Sequence, residues 1–213
     1  MKKLSLSLIV LLALSIFSCS SKKDSTKTES SNTKEVETTA SSYAYDPAQT
    51  VVSFTAFKTT DKVGVSGRFQ EFEVKTSKES VSNPSDILSG LTFEIPINSL
   101  ETNDKSRNGK IIEHFFGSMV NTSKITGVVK SFSNGKALVD IALNGITKEV
   151  ALDAKVSDNI ILLKGNIDMS NWDALGAIEA LNKICYDLHK GADGKSKLWS
   201  DVDLVIKSKL AAQ

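Results

Sequence analysis

Cysteine, histidine and proline are scarce in this chain, numbering two, two and three among 213 residues. Of the two cysteines, Cys19 ends an N-terminal apolar run, which leaves Cys185 without an intrachain disulfide partner. The domain must therefore hold together by its core. Two histidines, His114 and His189, are too few for a histidine-rich metal centre. Charge of one sign is also missing. Acidic and basic side chains nearly balance, 25 against 26, and removing Lys2 and Lys3 with a leader tips the chain just below zero. Nothing in that balance favours nucleic acid or a strongly charged partner. The longest apolar run, about Leu4 to Phe17, is shorter than the roughly 20 residues of a membrane-spanning helix.

What is present at the N-terminus is an export pattern. Two lysines precede the apolar run, and Ser18 and Cys19 follow it. The ending "IFSC" resembles a bacterial lipobox, which implies that residues 1–18 are a lipoprotein signal peptide and that Cys19 becomes the acylated first residue. A plain secretory leader with an incidental cysteine is the alternative. Ser20 stands where some inner-membrane retention signals carry aspartate, so the resemblance points to the cell envelope and to the outer membrane. Residues 19–42 are rich in Ser, Thr, Lys and Glu and almost free of apolar side chains. Such a stretch buries too little surface to offset its ordering entropy, so it reads as a disordered tether.

From Tyr43 onward the dominant period is two. Leu91, Phe93, Ile95 and Ile97 alternate with polar residues, as do Ala137, Val139, Ile141 and Leu143. Val150, Leu152, Ala154 and Val156 repeat the pattern, and so do Val202, Leu204, Ile206, Ser208 and Leu210. Four further stretches, "TVVSFTAF", "VGVSGRFQEFEV", "KITGVVKSF" and "IILLKGNIDM", complete a set of eight half-buried antiparallel strands. "SNGK" at Ser133 and "NGIT" at Asn144 are hairpin turns. Phe69 and Phe72, three apart, predict a bulge, and Pro96 predicts an edge or a break in the ladder. Eight such strands fit a two-sheet sandwich or a closed barrel. Closure removes exposed edges, so the expected fold is mostly β, a single antiparallel eight-stranded barrel covered by two short helical segments.

The first helical segment spans Lys105 to Phe116, with Ile111, Ile112, Phe115 and Phe116 as its apolar stripe and Gly117 as a left-handed stop. The second follows Ser170 and Asp173, read as a capping box, and ends at Gly191. Its apolar face is Leu175, Ile178, Leu181, Cys185 and Leu188. The first would plug a barrel end; the second would cap the mouth, with Trp172 and Trp199 sealing it, or lie on a flank.

Reactive chemistry is thin. Ser99, Thr102 and Asn103 suit turn and helix caps, and Glu101, Asp104, Lys105, Arg107 and Lys110 suit a solvated helix face. His114 beside the two phenylalanines is either a headgroup contact or an exposed histidine without a role. Cys185 and His189, at i and i+4, have dyad or metal-pair spacing, but no third group accompanies them and packing explains the cysteine. The chain is expected to have no catalytic residue, no metal and no cofactor. Phe54, Phe57, Phe69, Phe72, Phe93, Phe115, Phe116 and Trp172 fit an ordinary core or the paving of an internal channel.

Four segments in order carry a family resemblance. "YAYDPAQTVVSFTAF" followed by "VSGRFQEFEV" resembles the opening of the YceI-like family. Ser99, Leu100, Thr102, Asn103, Arg107, Phe115 and Phe116 match its Ser-(Ile/Leu)-x-Thr turn and Arg-containing helix. Leu143, Gly145, Ile146, Thr147, Lys148 and Val150 match its Leu-x-Gly-(Val/Ile)-Thr-Lys-x-Val segment. The resemblance implies that residues 43–213 form a lipocalin-like barrel, and not an enzyme, that holds an apolar long-chain lipid such as a polyisoprenoid. It implies that Phe54, Phe69, Phe72, Phe93, Ile95, Phe115, Phe116, Val139, Ile141, Trp172 and Ile178 contact that lipid. The acid and histidine of the family's helix are replaced here by Asn108 and Lys110, and the segment from Trp172 to Trp199 looks like an elaboration. The competing expectation is an envelope lipoprotein whose barrel is filled by its own side chains.

Overall fold

Apolar–polar alternation becomes a strand at each of the eight places where it occurs in the sequence. A computed structural model of the chain describes residues 41–213; the expected leader, Cys19 and the tether up to residue 40 lie outside the described residues. The strands are β1 (Tyr43–Ala44), β2 (Thr50–Lys58), β3 (Val63–Phe69), β4 (Glu73–Lys75), β5 (Thr92–Pro96) and β6 (Leu100–Glu101). After the first helical segment come β7 (Lys124–Ser133), β8 (Lys136–Leu143), β9 (Ile146–Ser157) and β10 (Ile160–Asp168). The second helical segment precedes β11 (Leu198–Lys209) and β12 (Ala211–Ala212). The short β1 and β12 pair with each other, and the remaining ten form one strongly curled antiparallel sheet in the order β4-β5-β7-β8-β9-β10-β11-β2-β3-β6.

The expected count of eight is corrected to ten strands in that sheet, because two of the eight segments are broken. One break lies at Gln70–Phe72, where the Phe69–Phe72 spacing predicts a bulge. The other follows Pro96, which ends β5 before a 3-10 turn at Ile97–Ser99. Proline has no N–H to continue the ladder. The two breaks face each other: Gln70 N–H donates to the Ser99 carbonyl at 2.9 Å, and the Ser99 hydroxyl reaches the Pro96 and Glu71 carbonyls. Since β3 continues into β4 and β5 into β6, the pairs Phe69↔Leu100 and Val74↔Phe93 join the same two segments. At this seam the sheet returns on itself.

Turns behave as their residues require. Asn134 and Gly135 (φ 49° and 71°), and Asn144 and Gly145 (φ 52° and 70°), give the positive φ pairs of tight hairpins. Inside the wall, Gly127 faces Phe93 across the sheet, and a Cβ on Gly127 would lie 2.3 Å from the Phe93 ring and from the Asp140 carbonyl. That glycine makes room for the aromatic ring. Ala137, Val139, Ile141 and Leu143 are all buried, as period two demands, and so are Leu152 and Ala154 of β9. Each such branched side chain contributes about 1.5–3 kcal/mol of burial.

Both helical segments sit at the barrel end that carries the β2–β3 and β8–β9 turns, here called the helical end; the opposite end carries the β7–β8 and β9–β10 turns. α1 is only Lys105–Lys110, and the chain then widens into a π-helical turn at Ile111–Phe115 and tightens into a 3-10 turn at Phe116–Ser118. Gly117 does not adopt the left-handed conformation expected of it; the 3-10 turn ends the segment instead. The expected second helix is also divided. A 3-10 turn at Met169–Trp172 leads through Asp173, itself left-handed at φ 53°, to α2 (Leu175–Ile184) and a second 3-10 turn at Tyr186–His189. The Ser170–Asp173 capping box is therefore not formed; Asp168 caps the first turn by accepting from Ser170 N–H at 2.8 Å.

Candidate functional site

The inward side chains of the sheet leave a cavity of about 280 Å³ along the barrel axis. From β2 and β3 come Phe54 and Phe69, whose rings stand 5.7 Å apart and tilted by 44°. Phe72 enters from the break between β3 and β4; Phe93 and Ile95 line the wall from β5, and Val139 and Ile141 from β8. The π-helical turn carries Phe115 and leads into Phe116, and the two rings pack edge to face at 4.9 Å. α2 contributes Ile178 and Leu181, and the preceding 3-10 turn contributes Trp172. All eleven residues expected to contact a lipid thus stand around this one cavity.

Each tryptophan is held by its indole N–H. Trp172, fully buried, donates to the Ile141 carbonyl at 3.0 Å, while Asn144 Nδ2 donates to the Trp172 carbonyl at 2.7 Å. Trp199 donates to the Thr59 carbonyl at 2.8 Å, with the Lys197 ammonium over its ring at 3.4 Å from the centroid. With both indoles committed, the side chains left among the described residues to present polar groups to the cavity are Tyr45, Thr50 and Ser208. An interior of this kind offers dispersion contacts along its length and hydrogen bonds at one place.

Sequence reasoning missed several lining residues. Tyr45 precedes the first alternating run, and Ile87 and Leu88 lie in a loop with no periodicity, though both are buried. Their signal is apolar type alone. Leu175 and Leu188, read as part of the inner face of the second helix, are half-exposed or more at 50% and 59%. The helix stops at Ile184, so Leu188 never reaches that face; the inner face is Ala177, Ile178, Leu181 and Cys185.

The polar stretch from Ser99 to Gly117 proves structural. The Thr102 N–H and hydroxyl both donate to Asn108 Oδ1, at 2.9 and 2.6 Å, and Asn108 Nδ2 donates to Glu101 at 3.1 Å. The Asn108 amide and the Asn103 N–H hold the Glu101 carboxyl below the usual carboxylate range. Asp104, not Ser99, Thr102 or Asn103, caps α1 by accepting from Arg107 N–H at 3.0 Å. Glu101 therefore belongs to β6 and Asp104 to the cap rather than to a solvated helix face. His114 does not line the cavity; its nearest ionic neighbour is Glu113 at 3.9 Å. Cys185 is buried, and His189 pairs through Nδ1 with Asn182 Oδ1 at 2.9 Å. Burial, with Lys58 and Lys110 nearby, pushes the His189 pKa down to about 4. Among the described residues no group of three or more His, Cys, Asp or Glu side chains is placed to hold a metal ion.

The family model of the YceI-like domain matches residues 43–209, which span both breaks, the helical segments and all ten strands of the curled sheet. The chain belongs to the YceI-like family. This YceI-like chain is similar in fold to Burkholderia cenocepacia BcnA, at 17% identity and a TM-score of 0.54, over 78% of this chain and 99% of that one. It is similar to a polyisoprenoid binding domain from Saccharophagus degradans implicated in plant cell wall breakdown, at 17% identity and a TM-score of 0.52, over 81% and 99%. A Campylobacter jejuni YceI protein aligns at 18% identity and a TM-score of 0.52, over 71% and 86%. No curated protein matches the chain.

Proposed function

We propose that this YceI-like protein is a non-catalytic carrier that holds a long, isoprenoid-like lipid chain inside its barrel. The observation that carries the reading is the cavity itself, walled from end to end by aromatic and branched side chains. A bound chain gains about 0.8 kcal/mol per buried methylene, so a few isoprene units supply enough driving force. The polyisoprenoid binding of the similar Saccharophagus domain supports the same class of ligand. An open cavity of about 280 Å³ also counts against the competing reading of a barrel filled by its own side chains.

The carrier would be tethered to the cell envelope, with acylated Cys19 at the outer membrane and residues 20–42 as the spacer. Cys19→Ala is expected to move the protein from the membrane fraction to the soluble fraction, since stable anchoring takes two acyl signals and a lipobox cysteine supplies them together. Continued sedimentation with membranes would sink the anchor without touching the carrier. The carrier itself is tested by native mass spectrometry of residues 42–213 purified from a bacterial host. A co-purifying apolar lipid supports it, and a protein that stays empty when offered prenyl lipids refutes it.

A further inference from the structure

Polar side chains gather at one point of the cavity, the end opposite the helices. Tyr45 lies between β1 and β2, Thr50 opens β2 and Ser208 lies near the end of β11. The Thr50 and Ser208 hydroxyl oxygens are 2.8 Å apart, and Thr50 Oγ1 also donates to the Asp46 carbonyl at 3.0 Å. A hydroxyl has one hydrogen. Thr50 uses its own on Asp46, so Ser208 donates to Thr50 and keeps its lone pairs free. The Tyr45 hydroxyl is buried near Thr50, yet it forms no hydrogen bond of good geometry with any described residue. Leaving such a group unpaired is costly. Burial holds the phenol in its neutral, proton-donating form, with its pKa raised.

We propose that this end of the cavity is a terminal-group subsite, where Tyr45 donates to, and Ser208 accepts from, an uncharged oxygen at the end of the bound lipid. The inference deepens the carrier reading and rests on it. A hydroxyl satisfies both partners, and a carbonyl of a quinone-like ring satisfies Tyr45. A phosphate or carboxylate is disfavoured. Among the described residues no lysine or arginine lines the cavity, and the Asp46 carboxylate lies close enough to act on the Tyr45 phenol. A buried anion without a partner is strongly disfavoured. The lysines near the cavity, Lys62 and Lys197, flank Trp199 at the helical end. The lipid therefore lies with its neutral oxygen at the turn end and its chain running towards α1 and α2.

The test compares three probes of one chain length: geranylgeraniol, the matching hydrocarbon without the hydroxyl, and geranylgeranyl diphosphate. Dissociation constants are measured on the chain carrying Cys19→Ala, with and without Tyr45→Phe or Ser208→Ala. The alcohol is expected to bind about tenfold more tightly than the hydrocarbon, the gain of about one good hydrogen bond. Tyr45→Phe should erase most of that preference and Ser208→Ala part of it, while an unchanged circular dichroism spectrum and thermal midpoint certify the fold. An alcohol preference that survives Tyr45→Phe would mean that the hydroxyl faces only a water, and overturns the subsite. Tightest binding of the diphosphate overturns it in favour of an anionic end. Hydrocarbon and alcohol bound equally by the unsubstituted protein overturns the subsite while the carrier stands; binding of none of the three overturns both.

Discussion

Between Lys124 and Asp168 four strands follow one another through two-residue turns, in continuous register apart from one bulge between Val129 and Ser131. Between Met169 and Lys197 the chain instead makes a 3-10 turn, a left-handed aspartate, a ten-residue helix and another 3-10 turn. Both stretches carry apolar residues at regular spacing. The wall is specified locally, because alternation and Asn-Gly turns set its register before any distant contact forms. The second stretch has no comparable local rule. Its inner face is whichever side meets Ile111, Phe115 and β11, so Ile178 and Leu181 turn inward while Leu175 and Leu188 remain in solvent. A lid of this kind is held by what lies beneath it.

That contrast predicts a gradient of effects along the lid. The largest belongs to Trp172, the point where the lid is fastened to the wall. Trp172→Ala is expected to cost about 3–5 kcal/mol, from the cavity it leaves and the lost bond to the Ile141 carbonyl. Denaturant unfolding would measure it, and limited proteolysis should then cut within residues 173–197 first. A loss under 1 kcal/mol would mean that the lid is fastened elsewhere.

Ile178→Asp comes next. A carboxylate placed on the cavity lining should lower stability by about 1–3 kcal/mol and speed release of a bound fluorescent polyene lipid. Stopped-flow release identical to the parent, with the same loss of stability, would make α2 a fixed part of the wall.

His189 gives a smaller and pH-dependent effect. Its folded pKa of about 4 lies below the ordinary value of 6.5, so the unfolded chain binds more protons between those values. Its contribution is fully present above pH 6.5 and is lost progressively as pH falls towards 4. His189→Gln should flatten the stability profile in that window when the two proteins are unfolded side by side in urea. Parallel profiles would show that the ring protonates without penalty. At the bottom of the scale, Leu188→Ser on the exposed side should change stability by no more than about 0.5 kcal/mol. A larger thermal shift would mean that this side is covered.

Eight strand positions, both Asn-Gly hairpins and the discontinuity at Phe69–Phe72 were legible in the sequence, because period two and turn chemistry act over a few residues. The cavity residues on the strands were legible for the same reason, since a wall residue's face follows from its parity; Phe72, Phe115, Phe116, Trp172 and Ile178 lie off the strands and rested on apolar type and the family resemblance. Tyr45 was not legible. It stands before the first alternating run, and only the approach of β11 beside β2 puts Ser208 next to Thr50 and buries the phenol near them. Asn108 was passed over as a mere departure from a motif, although folding makes it the hub that joins Thr102 to Glu101. By itself, the sequence determined the mostly β class, the strand faces and the apolar character of the interior, all properties carried by neighbours along the chain. Tertiary structure alone decided how the broken ladder rejoins, which side of α2 faces the cavity and where polar groups meet inside it. Those depend on segments far apart in the chain, as Thr50 and Ser208 are, and no local period encodes their approach.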